Sequence, residues 1–446
     1  MPIQVGMVSL GCPKNQVDGE ILLGLVQQDP EFELQADPSL CDVVLINTCG
    51  FIDDAKQESI DTILEFCQLK EEGQLKCVLV TGCLAQRYKD EILAEIPEVD
   101  GVVGIGSNSQ IAQIIKDALA GSHPQLFASA YDLPLAGSRI LTTPSHYAYL
   151  KISEGCSNRC TFCAIPYIRG DFRSRTIEDI VAEAKELAAA GIKELIVVAQ
   201  DTTRYGEDLY GEPRLADLLE ELCKIDGFVW IRLMYCYPDR ITDRLLDIIA
   251  REEKIVKYID IPLQHTSKEV LRRMGRKGDD AWVRQVIALI RDRVPDVFIR
   301  TTVIAGFPGE SEQQYEQLCR FVDDMRFQRL GCFAYSQEEG TPAAKLDGQL
   351  DEETKRHRAQ HIMDKQALIM GDYNRQMIGK TVQVMVDYFD SEDMAYVGRT
   401  QHDAPEIDGT VRFAAECDLQ NGDLVAITVD EADDFDLYGH LAADDA

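Results

Sequence analysis

No stretch of this chain approaches the eighteen or so consecutive apolar residues needed to cross a bilayer. Basic side chains are scarce as well: 45 Lys and Arg stand against 77 Asp and Glu, a formal charge of −32. A surface so short of cations repels nucleic-acid phosphates and favours a basic partner, provided the charge is concentrated somewhere useful. Solubility alone explains the composition equally well. The amino terminus lacks a basic region before Lys14, and "VGMVSLGC" is too short and too soon interrupted for a signal peptide. There is no internal repeat, and no low-complexity tract beyond the acidic "DEADDFD". These absences predict a soluble cytoplasmic protein with no membrane partner. At 446 residues, 45% of them hydrophobic, two to four globular domains are expected.

Cysteine is plentiful. Fourteen thiols in a reducing compartment are not expected to form a disulfide framework. Scattered ones such as Cys41, Cys67, Cys77, Cys223, Cys319 and Cys417 read as small buried hydrophobes. Two sets resist that reading.

The first is "SEGCSNRCTFCAIPYIRG", residues 153–170, with Cys156, Cys160 and Cys163 spaced C-x3-C-x2-C. A structural zinc site needs a fourth ligand at similar spacing, and none is offered nearby; His146 lies ten residues upstream across a strand. An iron–sulfur cubane held by three thiolates would instead keep one iron open. The second set is Cys12, Cys49 and Cys83, each closing an apolar run: "VSLGC", "LINTC" and "VTGC". In an open parallel sheet the carboxyl ends of strands converge on the ligand crevice, so three distant thiols would meet there. The plain alternative is that strand ends often carry small residues, which suffices for one cysteine but poorly for three in succession.

The surrounding pattern supplies such a sheet. Residues 1–120 alternate short apolar runs with helical patterns, implying an open parallel α/β domain. Residues 121–146, with scattered Pro, Gly and Ser, read as a linker. From 147 to 350 six strand candidates recur: "YAYLKIS", "ELIVVA", "VWIRLM", "KYIDIPL", "VFIRTTVIAG" and "RLGCFAY". Thr176 with Asp179, and Ser311 with Gln314, signal helix starts, and Gly191 a helix end. Six units predict a partial (β/α)6 barrel open on one side, with a full eight-stranded barrel as the alternative. Residues 351–379 read as one connecting helix. Residues 380–446 switch to short alternating strands with an Asn421-Gly422 turn, a small antiparallel β-barrel. That barrel is acidic: three basic residues (Lys380, Arg399, Arg412) against seventeen acidic ones.

C-x3-C-x2-C with Phe162 before the last cysteine resembles the radical SAM superfamily. "LGCPKNQVD", "INTCGFIDDAKQES" and "TGCLAQRY", taken with it and a TRAM-like terminal barrel, resemble the methylthiotransferases over essentially the whole chain. The resemblance implies two 4Fe–4S clusters, one on Cys156, Cys160 and Cys163 and one on Cys12, Cys49 and Cys83. It also implies that the open iron of the first chelates S-adenosyl-L-methionine, whose cleavage yields a 5′-deoxyadenosyl radical. A C–H bond is then replaced by C–S–CH3, with an external reductant supplying electrons. "YLKISEGCSNRCTFCAIPYIRGDFRSR" and "VAQDTTRYG" further resemble the branch that modifies an aspartate of ribosomal protein S twelve of the small subunit, giving 3-methylthioaspartate. Whether that protein is met free or within the ribosome stays open.

For the cofactor pocket, "VIAGFPGE" places Gly306, Pro308 and Gly309 at a strand end, where glycine permits close approach of a ligand or merely makes a tight turn. Gln200, Asp201, Gln264 and Arg300 are further cofactor candidates at or near strand ends. Arg169, Arg173 and Arg175 could grip a carboxylate, or pair with the chain's own acids. His357 and His361 read as a solvated helix face, and no catalytic residue stands out. The acidic barrel argues for a basic protein substrate and against direct RNA binding. A transfer RNA methylthiotransferase is the nearer alternative, and a non-catalytic iron–sulfur electron carrier the more distant one.

Overall fold

Contiguous Val, Ile and Leu runs bounded by glycine or polar residues build parallel strands buried on both faces. In the computed structural model, which describes residues 2–442, they do so twice. The first sheet holds β1 (Ile3–Ser9), β2 (Phe32–Leu34), β3 (Val43–Thr48), β4 (Cys77–Gly82), β5 (Gly101–Val103) and β6 (Gln125–Leu126), in the order β2-β1-β3-β4-β5-β6. All its pairings are parallel. Helices α1 (Pro13–Gln27) and α2 (Asp53–Glu71) follow β1 and β3.

The chain separates into two units. The first comprises residues up to Thr142, Ser153–Arg175 and Glu338–Thr341; the second comprises Thr143–Ile152, Thr176–Gln337 and the remainder from Pro342. The chain enters the second unit through β7 (Tyr147–Lys151), then returns to the first as a ribbon of β8 (Ser153–Glu154) and β9 (Arg173–Ser174). The cysteine-rich loop is thus no part of the second unit by its contacts. The stretch 121–146 is no free tether either. Its β6 extends the first sheet, and Thr142 donates from its N–H to the buried Glu20 carboxylate at 2.9 Å.

In the second unit β7 is joined by β10 (Glu194–Val198), β11 (Trp230–Leu233), β12 (Ile255–Asp260), β13 (Phe298–Ala305) and β14 (Arg329–Ala334) in the order β14-β13-β12-β11-β10-β7. All six predicted strands are present, and the sheet stays open. The eight-stranded alternative is wrong for the described residues. Thr176 and Ser311 cap their helices as expected, the latter in a full capping box with Gln314. The long helix Glu352–Arg375 leads to a closed barrel of β15 (Thr381–Asp390), β16 (Ala395–Thr400), β17 (Val411–Ala414), β18 (Leu424–Ala432) and β19 (Leu437–Leu441).

Buried charge fastens this barrel to the amino ends of the parallel strands. Arg399 donates to Glu194 at 2.8 Å and to Asp387 at 2.8 and 2.9 Å, Arg232 donates to Glu194 at 2.7 Å, and His146 meets Asp387 at 2.7 Å. Burial would raise the Glu194 carboxyl, but Arg232 and Arg399 outweigh it and hold it below the usual range. The terminal barrel therefore caps one end of the sheet and leaves the carboxyl ends of its strands to other work.

Candidate metal centres

β1, β3 and β4 are neighbours, and their carboxyl ends deliver Cys12, Cys49 and Cys83. Thr48 pairs with Gly82, so Cys49 and Cys83 leave their strands at the same level. At about 4.8 Å per strand, β1 and β4 run about 10 Å apart on either side of β3. Local sequence sets each one. Pro13 starts α1, making Cys12 its N-cap residue, whose carbonyl accepts the Asn15 and Gln16 N–H groups. Gly11, at φ +91°, has no room for a Cβ, which would stand 2.7 Å from Cys49 Cβ. Gly82, at φ +95°, passes so near Thr48 that a Cβ would lie 2.5 Å from its backbone. The Cys49 N–H donates to Ser59 Oγ at 3.0 Å.

The other three thiols lie on a loop closed upon itself. Cys156 N–H donates to Gly170 O at 3.1 Å, Cys163 N–H to Cys160 O at 3.1 Å, and Phe172 N–H to Ser157 Oγ at 3.1 Å. Arg159, at φ +54°, turns the loop and pairs with Asp171. Cys156 and Cys160 are buried and Cys163 half-buried.

Arg169 joins the two sets. Its side chain is fully buried on the short helix Ile165–Arg169 that follows the loop, while Ala164 and Ile168 pack against Cys83. Nη1 donates to Asp18 Oδ2 at 2.7 Å and to Glu154 Oε1 and Oε2 at 3.0 and 3.1 Å; Nη2 donates to Asn15 Oδ1 at 3.0 Å. Burial works against the Cys12 thiolate, yet Lys14, Arg169 and the Asn15 and Lys14 N–H groups outweigh it and bring the thiol below its ordinary value. Cys49 lacks that compensation: burial, then Cys83 and Cys12, push it up to about 12.

Of the two sequence readings of the arginines, pairing with the chain's own acids holds for Arg169. Arg173 donates to the Tyr131 and Ala130 carbonyls at 2.6 and 2.9 Å, which occupies it too. Asn15, Asp18 and Glu154 escaped the sequence reading. Their only signal is polarity on otherwise buried surface, three residues apart for the α1 pair. Cys417 is exposed, not a buried hydrophobe as expected, because it sits in a loop between β17 and β18.

In the second unit the cofactor candidates divide. Asp201 is held by Thr203 Oγ1 at 2.6 Å and Arg240 Nη1 at 3.3 Å. Arg300 lies 3.5 Å from Asp260 and 3.6 Å from Asp408. A Cβ on Gly306 would meet Lys355 Cγ at 2.6 Å and one on Gly309 would meet Arg273 Nη1 at 1.9 Å, so neither position has room for a side chain. Gln200 is half-buried after β10. Gln264 is different. It takes φ +72° without being glycine, bridges Val303, and buries its Oε1 with no hydrogen-bond partner. A strained backbone and an orphaned buried acceptor together mark a place where a donor is missing.

Among the described residues, no three His, Cys, Asp or Glu side chains are grouped to hold a single metal ion. A cubane asks for something else, because each thiolate ligates a different iron and the sulfurs stand apart. Two sets of three sulfur donors, with the neighbouring Asp18 and Glu154 engaged by Arg169, have the soft-donor chemistry iron–sulfur clusters take.

Residues 150–322 match the Radical SAM superfamily, residues 4–104 the Uncharacterized protein family UPF0004, and residues 378–441 the TRAM domain. Among solved structures, TsrM from Kitasatospora setae, a radical S-adenosylmethionine methyltransferase, superposes with a TM-score of 0.55 at 13% identity, over 76% of this chain and 75% of that one. At that identity the likeness is one of fold. Fold and matches define a radical SAM protein carrying an additional amino-terminal α/β domain and a terminal β-barrel.

A relative from Clostridioides difficile (strain 630) is 48% identical over 445 residues, 98% of this chain and 99% of its own. Another from Lachnoclostridium phytofermentans is 47% identical over 438 residues, with 98% and 99% covered. Both are named ribosomal protein uS12 methylthiotransferase RimO. This chain belongs to that family.

Proposed function

We propose that this chain uses two 4Fe–4S clusters and S-adenosylmethionine to replace an aspartate C–H bond of ribosomal protein uS12 with C–S–CH3. The reading rests most heavily on two cysteine triads in one unit, linked through the buried Arg169, in a chain nearly coextensive with its uS12-modifying relatives. In it Cys156, Cys160 and Cys163 hold one cluster and Cys12, Cys49 and Cys83 the other. When bound by three thiolates, a cluster supplies an open iron for the cofactor's amino and carboxylate groups and relays the electron that cleaves its sulfonium.

The remaining roles belong to the chain itself. Arg169, held by Asp18, Glu154 and Asn15, offsets the charge that thiolates bring into a buried place. Gln264 offers its orphaned Oε1 to a donor on the cofactor, an amino group or a ribose hydroxyl; Gln200, half-buried after β10, is a second cofactor candidate by its place at a strand end. Residues 1–120 then handle sulfur, 147–350 form the radical SAM core, 351–379 connect, and 380–446 form an acidic accessory barrel. An external one-electron reductant completes the reaction.

The barrel's charge supports a basic protein over RNA. Arg399 is spent on Glu194 and Asp387, and Arg412 on Asp390 and Asp393, leaving Lys380 as its one remaining basic side chain among seventeen acids. A phosphate backbone would find no stripe to follow.

The test is anaerobic. Iron and sulfide are reconstituted, then reductant, S-adenosylmethionine and unmodified uS12 are added. One methylthio group on a uS12 aspartate is expected. A methylthiolated transfer RNA with unmodified uS12, or protein able to hold just one cluster, would overturn the proposal.

A further inference from the structure

Beside the cysteine triads, the first unit carries a groove of about 620 Å³ between α2 and the helix Lys89–Glu95. Leu84, Ile92 and Ile96, each under a tenth exposed, form its floor, and Ile60, Tyr88 and the 48% exposed Leu64 its sides. Leu84 directly follows Cys83, so the floor begins one residue from the amino-terminal thiols.

The charge around the groove is one-sided. Residues 53–98 contain eleven acidic and five basic side chains, and all five basic ones are engaged. Lys56 pairs with Asp53 and Glu338, Arg87 with Glu338, Lys70 with Asp100, and Lys76 with Asp42, while Lys89 lies over the Phe127 ring. Glu91 and Glu95 line the groove. Neither carboxylate has a cationic partner among the described residues.

We infer that this groove docks a basic amphipathic segment of a protein partner, its apolar side chains between Ile60, Leu64 and Ile92 and its cations on Glu91 and Glu95. On the function proposed above, on which this inference rests, the partner is uS12 itself, held at an anchor beside the sulfur-handling site. Apolar floor with acidic rim fits that occupant and few others. Nucleic acid would meet unpaired carboxylates, and a second copy of this chain would bring a further charge of −32.

The experiment uses the reconstituted full chain and purified unmodified uS12, with binding read by fluorescence anisotropy and turnover by mass spectrometry. The variant combines Leu64→Ser, Glu91→Lys and Glu95→Lys, all at exposed positions, so folding and iron content are expected to persist. A control, Glu178→Lys with Glu186→Lys, changes the same charges on an exposed helix face of the second unit. The groove variant should bind about tenfold or more weakly, as loss of a docking anchor does. KM should rise accordingly while kcat at saturation holds. The control should stay within about twofold of the unaltered chain, as scattered rim charges do.

If the unaltered chain modifies uS12 and the groove variant binds it as well, the groove inference fails alone. Equal losses in variant and control would mean diffuse charge attraction and would overturn it too. If the unaltered chain leaves uS12 unmodified, the function proposed above fails and takes the occupant with it. Binding of transfer RNA lost in the groove variant would replace the protein occupant with RNA.

Discussion

Replacing Arg169 by methionine keeps the length of the side chain and removes its charge. The guanidinium touches Asp18 at 2.7 Å and Glu154 at 3.0 Å, and those carboxylates are 2% and 0% exposed. At an effective dielectric of about 20, each contact near 3 Å is worth about 5 kcal/mol of attraction. Desolvating the three ions costs several kcal/mol apiece, so the intact network contributes little net stability. Arg169→Met leaves that cost standing and takes the guanidinium away from two buried carboxylates. The expected loss is about 3–5 kcal/mol.

A chain of several domains does not unfold in one step, so the loss should be read locally, by amide hydrogen exchange over the first turn of α1 and residues 153–175. Arg169→Lys should recover part of it, because one ammonium cannot serve Asp18, Glu154 and Asn15 in the same fork geometry. Adding Asp18→Asn and Glu154→Gln to Arg169→Met should recover most, since no unpaired charge then remains buried. Protection within about 1 kcal/mol of the unaltered chain for Arg169→Met, or a triple variant worse than the single one, would refute the reasoning.

Gly11→Ala must push a Cβ to within 2.7 Å of Cys49 from a φ of +91°, a strain of about 1–3 kcal/mol that displaces the thiol. Iron and sulfide after anaerobic reconstitution should fall toward one cluster per chain, and an undiminished content would count against the placement of Cys49. Arg399→Met leaves Glu194 to Arg232 and Asp387 to His146 and removes the guanidinium that joins them across the seam between sheet and terminal barrel, so that barrel should loosen by about 1.5–3 kcal/mol, seen as faster proteolysis near residues 376–380. His402, stacked on Phe298 at 3.8 Å, is pushed from 6.5 to about 4, first by burial and then by Arg232 and Arg329. Its folded value lies below its unfolded one, so this contribution is whole above about pH 6.5 and is lost as pH falls toward 4, by up to about 3 kcal/mol. His402→Gln should flatten that part of the stability profile; parallel profiles would argue against a neutral buried imidazole.

What the sequence made legible follows from range. Strands such as "ELIVV" and "FIRTTVIA" are runs of β-branched residues long enough to declare themselves, and all six of the parallel barrel do. β2 and β6 are three and two residues long at the sheet's edges, too short to carry a pattern, and β19 hides behind Gly439 and His440. The cysteines could be read as two triplets because strand ends in a parallel sheet converge by topology. Arg169 could not be placed, since its partners Asp18 and Asn15 lie 151 and 154 residues away and only the folded chain brings them near. The glycines hide a long-range constraint in the same manner: Lys355 and Arg273 pack where a Cβ of Gly306 or Gly309 would stand, and neither is near in sequence.

The arginines carry the wider consequence. Arg169, Arg232, Arg329, Arg358 and Arg399 are all buried against carboxylates, so part of the scarce positive charge never reaches the surface. Some acids are consumed with them, but acids outnumber bases by 32, and every internal pair leaves that excess to a smaller exposed set. The outer face is therefore more lopsided than composition alone conveys. Such a field acts beyond contact distance only over about 10 Å at 0.1 M salt. Association with a basic protein should accordingly slow as salt is raised, whereas the buried pairs, screened far less, should keep the fold intact across the same range. A partner whose on-rate ignored salt would not be recognised through this surface charge, whatever segment it placed in the groove.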